Sequence, residues 1–282
     1  MSDPRSVLVT GCSSGIGRAT CLLLDRSGFR VFAGVRRRED AEALQAEASE
    51  RLEPVMLDVT EAEAIRRAAA RVTEVCGEAG LHGLVNNAGT PASAPVEFLS
   101  AGALRYPFEV NLFGPVLLTQ ALIPSLRAAR GRVVNVTSGS TAMGPPFMTP
   151  YVGSKAALEV HTESLRREIE PQGVSVVLLD PGHVRTPLSD TTNQPASESA
   201  PPAELIERYG AEFSELREGA EYLNRNYGKP PEAVARVILQ AMQASRPKDF
   251  YKVGREAHFV RLAQRLLPAR ARHALIKRVL KV

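Results

Sequence analysis

The 282-residue chain predicts an α/β fold: a doubly wound parallel sheet of about seven strands flanked by helices. Short β-branched and aliphatic runs recur along it, at Ser6–Val9, Arg30–Val35, Leu81–Asn86, Gly131–Thr137 and Val174–Asp180, with helical stretches between them. Such runs are buried on both faces, as the strands of a parallel sheet are. The first run passes straight into a glycine-rich turn and then a helix. Polar residues also stand just beyond the strand ends, the edge at which open α/β sheets bind ligands.

The turn after the first run reads Thr10-Gly11-Cys12-Ser13-Ser14-Gly15-Ile16-Gly17 and opens onto helical Arg18–Leu24. Glycines let the backbone turn tightly and approach a ligand, and the helix start offers free N–H groups and a partial positive charge. Strand, turn and helix start in that order make a pyrophosphate site from Gly11, Ser13, Ser14, Gly15, Ile16 and Gly17. A Gly/Ser loop without a ligand is the plainer reading, and the position at a strand-to-helix junction argues against it. Where such folds bind NAD, an acid ends the second strand and receives the ribose hydroxyls. Here Val35 is followed by Arg36, Arg37 and Arg38, with no acid before Glu39. Arginines suit a 2′-phosphate, so Arg36 and Arg37 favour NADP(H) over NAD(H), although a solvated basic turn would look the same.

Tyr151 and Lys155 stand four residues apart, with Ser138 thirteen residues upstream of the tyrosine. On a helix, residues i and i+4 share a face about 6 Å apart along the axis. The ammonium can therefore sit near the phenol, whose unperturbed pKa of ~10 is too high for a proton shuttle at neutral pH. A positive neighbour favours the phenolate and pulls that value down. Tyrosine, lysine and a nearby hydroxyl together make a proton-transfer device for a carbonyl or an alcohol. Taken alone, the spacing arises by chance on many helices, most often as an exposed lysine beside a half-buried tyrosine.

Together, Thr10-Gly11-x-x-x-Gly15-x-Gly17, Asp58-Val59-Thr60, Asn86-Asn87-Ala88-Gly89, Asn111, Ser138, Tyr151-x-x-x-Lys155 and Pro181-Gly182 make the chain resemble a short-chain dehydrogenase/reductase. The resemblance is to the compact single-domain branch and runs from about Ser6 to Val253. It implies a Rossmann-like catalytic domain over residues 1–254 and an NAD(P)-dependent enzyme interconverting an alcohol and a ketone or aldehyde. By the same resemblance Tyr151 would be general acid or base, and Lys155 would bind the nicotinamide ribose and lower the phenol's pKa. Ser138 would polarise the substrate oxygen, and Asn111 would hold a relay water. Asp58 and Val59 would meet the adenine, and Asn87, Ala88 and Gly89 would line the cofactor groove. Pro181, Gly182, Val184 and Thr186 would close over the nicotinamide. From the residues alone, Asn87 could equally satisfy backbone groups and Asn111 could cap or kink its helix.

Phe29–Arg36, Arg51–Thr60, Leu81–Gly89 and the region of Arg255–Leu267 are most similar to the steroid- and retinol-dehydrogenase-like branch. That implies a lipophilic small-molecule substrate and a homodimer or homotetramer. A dinucleotide-sensing module without turnover is the alternative, and an intact set of Asn111, Ser138, Tyr151 and Lys155 argues against it. Residues flanking Ser138 and Tyr151, among them Met143, Phe147 and Met148, are mostly apolar; they suit a bulky, flexible ligand, although such residues are more often simply core. His183, just past Pro181-Gly182, could reach the same ligand or equally point to solvent.

Between about residues 185 and 229 the chain carries no family fingerprint and much Pro, Ser, Thr and Glu, which predicts a lid with one or two short helices. Residues 255–282 form a basic tail with eight Lys/Arg against a single acid, Glu256, while the rest carries 27 basic and 30 acidic residues. The net charge of +4 is therefore a property of the tail, and without an aromatic-rich basic groove it does not signal nucleic acid. Phe259, Leu262, Leu266 and Leu267, then Leu275, Ile276, Val279 and Leu280, predict two amphipathic helices. These would pack on the core or a second subunit, or touch a membrane surface peripherally. No apolar run reaches the roughly 18 residues of a membrane span. Three scattered cysteines and no signal-peptide pattern fit a reduced, cytoplasmic protein, and the five histidines lack metal-ligand spacing.

Overall fold

The computed structural model describes residues 5–186 and 203–254, together with the isolated positions 268, 270, 271 and 274. One sheet holds seven strands: β1 (Ser6–Val9), β2 (Arg30–Val35), β3 (Leu52–Met56), β4 (Gly83–Asn86), β5 (Arg132–Val136), β6 (Ser175–Asp180) and β7 (Phe250–Lys252). Their order is β3-β2-β1-β4-β5-β6-β7, and every neighbouring pair is parallel. The winding reverses between β1 and β4, so a crevice opens beyond their C-terminal ends.

Helices α1 (Gly15–Arg26), α2 (Arg38–Gln45), α3 (Ala62–Cys76), α4 (Ala101–Phe108), α5 (Gly114–Ala128), α6 (Thr149–Ile169), α7 (Ala203–Tyr227) and α8 (Pro231–Gln243) complete the described elements. Successive strand residues point to opposite faces, and here both faces are covered. Val7 and Val9 pack with Cys21, Leu24, Val234 and Ile238, under α1 and α8. Leu8 packs with Ile65, Leu118, Leu122 and Leu165, under α3, α5 and α6. That two-sided burial is the reason the strands lack polar alternation.

A chain of buried amides and hydroxyls crosses the second layer. Asn86 donates to Thr119 Oγ1 at 3.0 Å and to Asn135 Oδ1 at 2.8 Å, and Asn135 donates to Thr162 Oγ1 at 2.9 Å. In a water-poor interior such a network has few alternative geometries, so it fixes α6, which carries Tyr151 and Lys155, against the sheet.

After β6 the chain makes an excursion and returns to the point it left. Val184 pairs with Lys229 in a parallel bridge, Lys229 N donating to His183 O at 2.8 Å and Arg185 N to Lys229 O at 3.0 Å. Within the excursion α7 is a single helix of 25 residues, not the one or two short helices expected. The composition of residues 185–229 mixed two unlike halves. The Pro- and Ser-rich half at 187–202 lies outside the described residues, whereas 203–227 is rich in helix formers, with i,i+4 pairs such as Arg208–Glu204 at 2.8 Å. The two tail helices expected within 255–282 also fall almost wholly outside the described residues.

Candidate active site

The crevice between β1 and β4 is shaped by backbone. Gly11 (φ +71) and Gly15 (φ +53) take left-handed conformations that side chains other than glycine's resist. A Cβ on Gly17 would run into the Gly11 carbonyl and lie 2.6 Å from Asn87 Nδ2. Thr10 Oγ1 accepts from Asn87 N at 3.0 Å and Ala88 N at 2.9 Å, while Asn87 Nδ2 donates to Thr10 O at 2.9 Å. Asn87 thus laces the ends of β1 and β4 together and frames the groove. Ser14, extended at the start of α1, caps none of the first-turn N–H groups with its side chain, which leaves them to an anion. Ser13 and Ser14 are exposed, and Ile16 is half-buried.

Arg36 follows β2 as an exposed side chain, and no hydrogen bond or ion pair engages it among the described residues. Arg37 is turned back to Asp40 at 3.2 Å. Past β3, Asp58 Oδ1 accepts from Thr60 N at 2.9 Å and Thr60 Oγ1 at 2.7 Å, which fixes the turn, and Val59 is buried beside it.

Tyr151, Lys155 and Ser138 come together at the ends of β5 and α6. Lys155 is only 4% exposed, and its Nζ donates to Val136 O at 2.9 Å. Burial lowers its pKa from 10.5 to about 8. Burial also raises the pKa of the Tyr151 phenol; a hydrogen bond with Ser138 pulls the other way, and the Asp180 carboxylate adds to the rise. The expectation of a phenol lowered by Lys155 therefore gives way to desolvation, with the ammonium bonded to the Val136 carbonyl. Ser138 caps the short 3-10 turn Gly139–Ala142, its Oγ accepting from Ser140 N at 3.3 Å and lying 2.8 Å from Ser140 Oγ.

Asn111 sits, fully buried, in a π turn (Glu109–Phe113) between α4 and α5. Its Nδ2 donates to Thr90 O at 3.0 Å and Ser154 Oγ at 2.9 Å, and its Oδ1 accepts from Thr90 N at 2.9 Å. Ser154 Oγ in turn donates to Tyr151 O at 2.7 Å, so Asn111 clamps the loop after Gly89 to α6. A Cβ on Gly89 would stand 3.3 Å from Asn111 Oδ1 and 3.6 Å from Lys155 Nζ. Glycine there keeps open a space bordered by both polar groups. The glycine cradle, the uncapped helix start and this gap fit a nicotinamide dinucleotide, its pyrophosphate at Gly11–Gly17 and its nicotinamide end beside Tyr151 and Lys155.

On the far side Pro181 is buried, Gly182 (φ +63) leaves no room for a Cβ against Val253 O, and Val184 enters the bridge to Lys229. Thr186 stands at the edge of the described residues, and the carbonyl of His183 is bonded to Lys229 N. Met143, Phe147 and Met148 are all half-buried in the segment between Ser138 and Tyr151. Phe147 has φ +63, a strained conformation for a bulky residue, and its carbonyl accepts from Ala94 N at 2.8 Å. Its ring meets Phe213 at 5.3 Å and Tyr209 at 5.8 Å between centroids, and Tyr209 meets Phe98 at 6.2 Å. Sequence reasoning did not single out Phe98, Tyr209 or Phe213, whose partners are distant in the chain. It also missed Asp180, fully buried, with Oδ1 accepting from Gly182 N at 3.0 Å. The available signal was a carboxylate ending an otherwise apolar strand.

Fold and site define a dinucleotide-dependent oxidoreductase of the doubly wound α/β class. The model of the short chain dehydrogenase family matches residues 5–197. Retinol dehydrogenase 5 of Mus musculus is 36% identical, over 97% of this chain and 88% of its own. The NADPH-dependent 3-dehydrocapnine reductase of Ornithobacterium rhinotracheale is 34% identical, over 94% of both chains. A crystal structure of a short chain dehydrogenase from Burkholderia cenocepacia J2315 in complex with NADP aligns with a TM-score of 0.74 at 26% identity, over 97% of each chain. The chain belongs to the short-chain dehydrogenase/reductase family, and is similar within it to retinol- and steroid-dehydrogenase-like members. It is a nicotinamide-dependent oxidoreductase acting on alcohols or carbonyls. Among the described residues no helix is long and apolar enough to cross a membrane.

Proposed function

We propose that the protein is an NADPH-dependent carbonyl reductase of lipophilic ketones or aldehydes, with Ser138, Tyr151, Lys155 and Asn111 as its proton-transfer set. The observation that carries this reading is the half-buried Tyr151, its phenol hydrogen-bonded with Ser138, one turn from the buried Lys155 ammonium. The bound cofactor supplies the hydride. Ser138 donates to the carbonyl oxygen as negative charge develops on it. Tyr151 gives that oxygen its proton; an upward-shifted pKa keeps the phenol protonated at neutral pH, the form that reduction needs. Lys155, protonated below about pH 8, stabilises the phenolate left behind. Asn111 and Lys155, on either side of the gap over Gly89, hold the water that returns the proton.

NADPH is favoured by Arg36, which stands unengaged at the end of β2 where a 2′-phosphate would lie, and by the cofactor in the name of the Ornithobacterium relative. A lipophilic substrate is supported by the aromatic contacts that join Phe147 to α7, and by relatives named for retinol and 3-dehydrocapnine. The excursion between residues 185 and 229 then serves as the lid. Exposed Phe113, at the end of the π turn, with Leu117 on α5 and Val160 on α6, supports a homodimer or homotetramer formed through these helices.

The test follows NADPH absorbance with all-trans-retinal and a panel of ketosteroids. Wild type turns over a member of the panel, whereas Tyr151→Phe binds NADPH unchanged and turns over none. Equal turnover by the variant overturns the assignment. Arg36→Asp shifts preference toward NADH, and an unchanged ratio removes the NADPH reading.

A further inference from the structure

We infer, resting on the carbonyl-reductase reading above, that Glu159 is a positioning residue that braces the turn carrying Ser138 against the helix carrying Tyr151. Glu159 lies on α6 four residues beyond Lys155 and eight beyond Tyr151, so the three follow one slowly drifting face of the helix. Its Oε1 accepts from Thr137 Oγ1 at 2.8 Å and from Thr141 Oγ1 at 2.7 Å. Those threonines bracket the serine: Thr137 follows β5, and Thr141 lies in the turn Gly139–Ala142. A single carboxylate oxygen on the catalytic helix therefore holds both flanks of Ser138.

The Thr141 hydroxyl also lies 2.8 Å from the Ser138 carbonyl. A hydroxyl has one proton, and the two acceptors compete for it, the charged one more strongly. The turn sits where Thr141 reaches both. Thr137 N is anchored to Leu179 O at 2.9 Å, so the sheet holds the turn on its upstream side. Past Ser138, Gly139 has no side chain with which to anchor the turn, and Thr141 makes the link to α6. A donor to a developing oxyanion is effective only when correctly placed, and a misplacement of about 1 Å can cost roughly a hundredfold in rate. Through Thr137 and Thr141, Glu159 acts by setting the position of Ser138 relative to Tyr151.

The experiment compares wild type, Glu159→Ala and Glu159→Gln with NADPH and the carbonyl of the panel that wild type reduces. Glu159→Ala lowers kcat about 10- to 100-fold, with KM changed far less and NADPH affinity within about twofold. Glu159→Gln keeps an Oε1 acceptor and recovers most of the rate. If Glu159→Ala does not fold, Thr141→Val removes the same bond from the other side and gives the same loss of kcat. Crystal structures with NADPH bound show Ser138 Oγ displaced from Tyr151 Oη in Glu159→Ala or Thr141→Val. A kcat within about twofold of wild type in the folded variants overturns the brace, as does a loss carried wholly by NADPH affinity, or a Ser138 turn that has not moved. If wild type reduces no carbonyl in the panel, the reading of the reaction fails. The brace is then decided by the crystal structures alone, a displaced turn supporting it and an unmoved one overturning it.

Discussion

On the β1–β4 side of the crevice, shape comes from backbone: Gly11 and Gly15 in left-handed conformations, no room at Gly17, and Asn87 bonded to Thr10 across the strand ends. On the β5–β6 side, shape comes from side chains that meet from far apart in sequence, with Phe147 packed on Tyr209 and Phe213 of α7. The first half has little tolerance for an added atom. The second is made of ring contacts that substitutions can alter one at a time. Under the proposed reading, the first half would serve the cofactor and the second the substrate.

The largest expected effect lies where the halves meet. Lys155→Met should lower kcat by roughly 10²- to 10⁴-fold and yet make the fold more stable at pH 7. The drop of the lysine pKa from 10.5 to about 8 corresponds to roughly 3 kcal/mol of cost to the folded state while the ammonium is charged. Loss of the bond to Val136 O offsets about 1 kcal/mol, leaving a net gain of about 2 kcal/mol. Between about pH 8 and 10.5 the unfolded chain keeps the proton that the folded chain releases, so this component of stability rises with pH. Denaturant unfolding of both proteins should show the variant's advantage shrinking across that window. An equal or lower stability of the variant at pH 7 would contradict the burial argument.

Next, Gly17→Ala should weaken NADPH binding by about a hundredfold in a fluorescence titration, since Gly11 O and Asn87 cannot withdraw without breaking the cradle. Unaltered affinity would show that the backbone half is softer than drawn. A smaller change follows from pH: carbonyl reduction should fall about tenfold per unit above about pH 8 as Lys155 loses its proton, with a flat profile through pH 9 counting against it. Smallest, Phe213→Ala should raise KM for a bulky carbonyl about 3- to 10-fold while leaving NADPH affinity untouched. A change in cofactor affinity there would blur the contrast between the halves.

What sequence could disclose follows the same line. The strands and the glycine turn depend on neighbours in the chain, so aliphatic runs such as Val7–Val9 and the spacing of Gly11, Gly15 and Gly17 exposed them. Tyr151 and Lys155 were legible because a helix converts a spacing of four into proximity. The same rule, carried one turn further, would have reached Glu159. The π turn that buries Asn111 and the left-handed Phe147 have no local signature, since their geometry is imposed by Thr90, Ser154 and the rings of α7. The direction of the Tyr151 shift was misjudged because spacing reports which charges are near but says nothing of how deeply the phenol is buried.

The bridge between Val184 and Lys229 gives the excursion a closed neck, with its two ends side by side. Closing a loop costs free energy that grows only with the logarithm of its length, so residues can be added or lost beyond the neck with little effect on the sheet. Under the proposed reading, the segment would act as a cassette. Exchanging it at the neck with that of a relative, together with its ring partner Phe147, should carry over the choice of substrate and leave the choice of cofactor where it was, a route to new specificities.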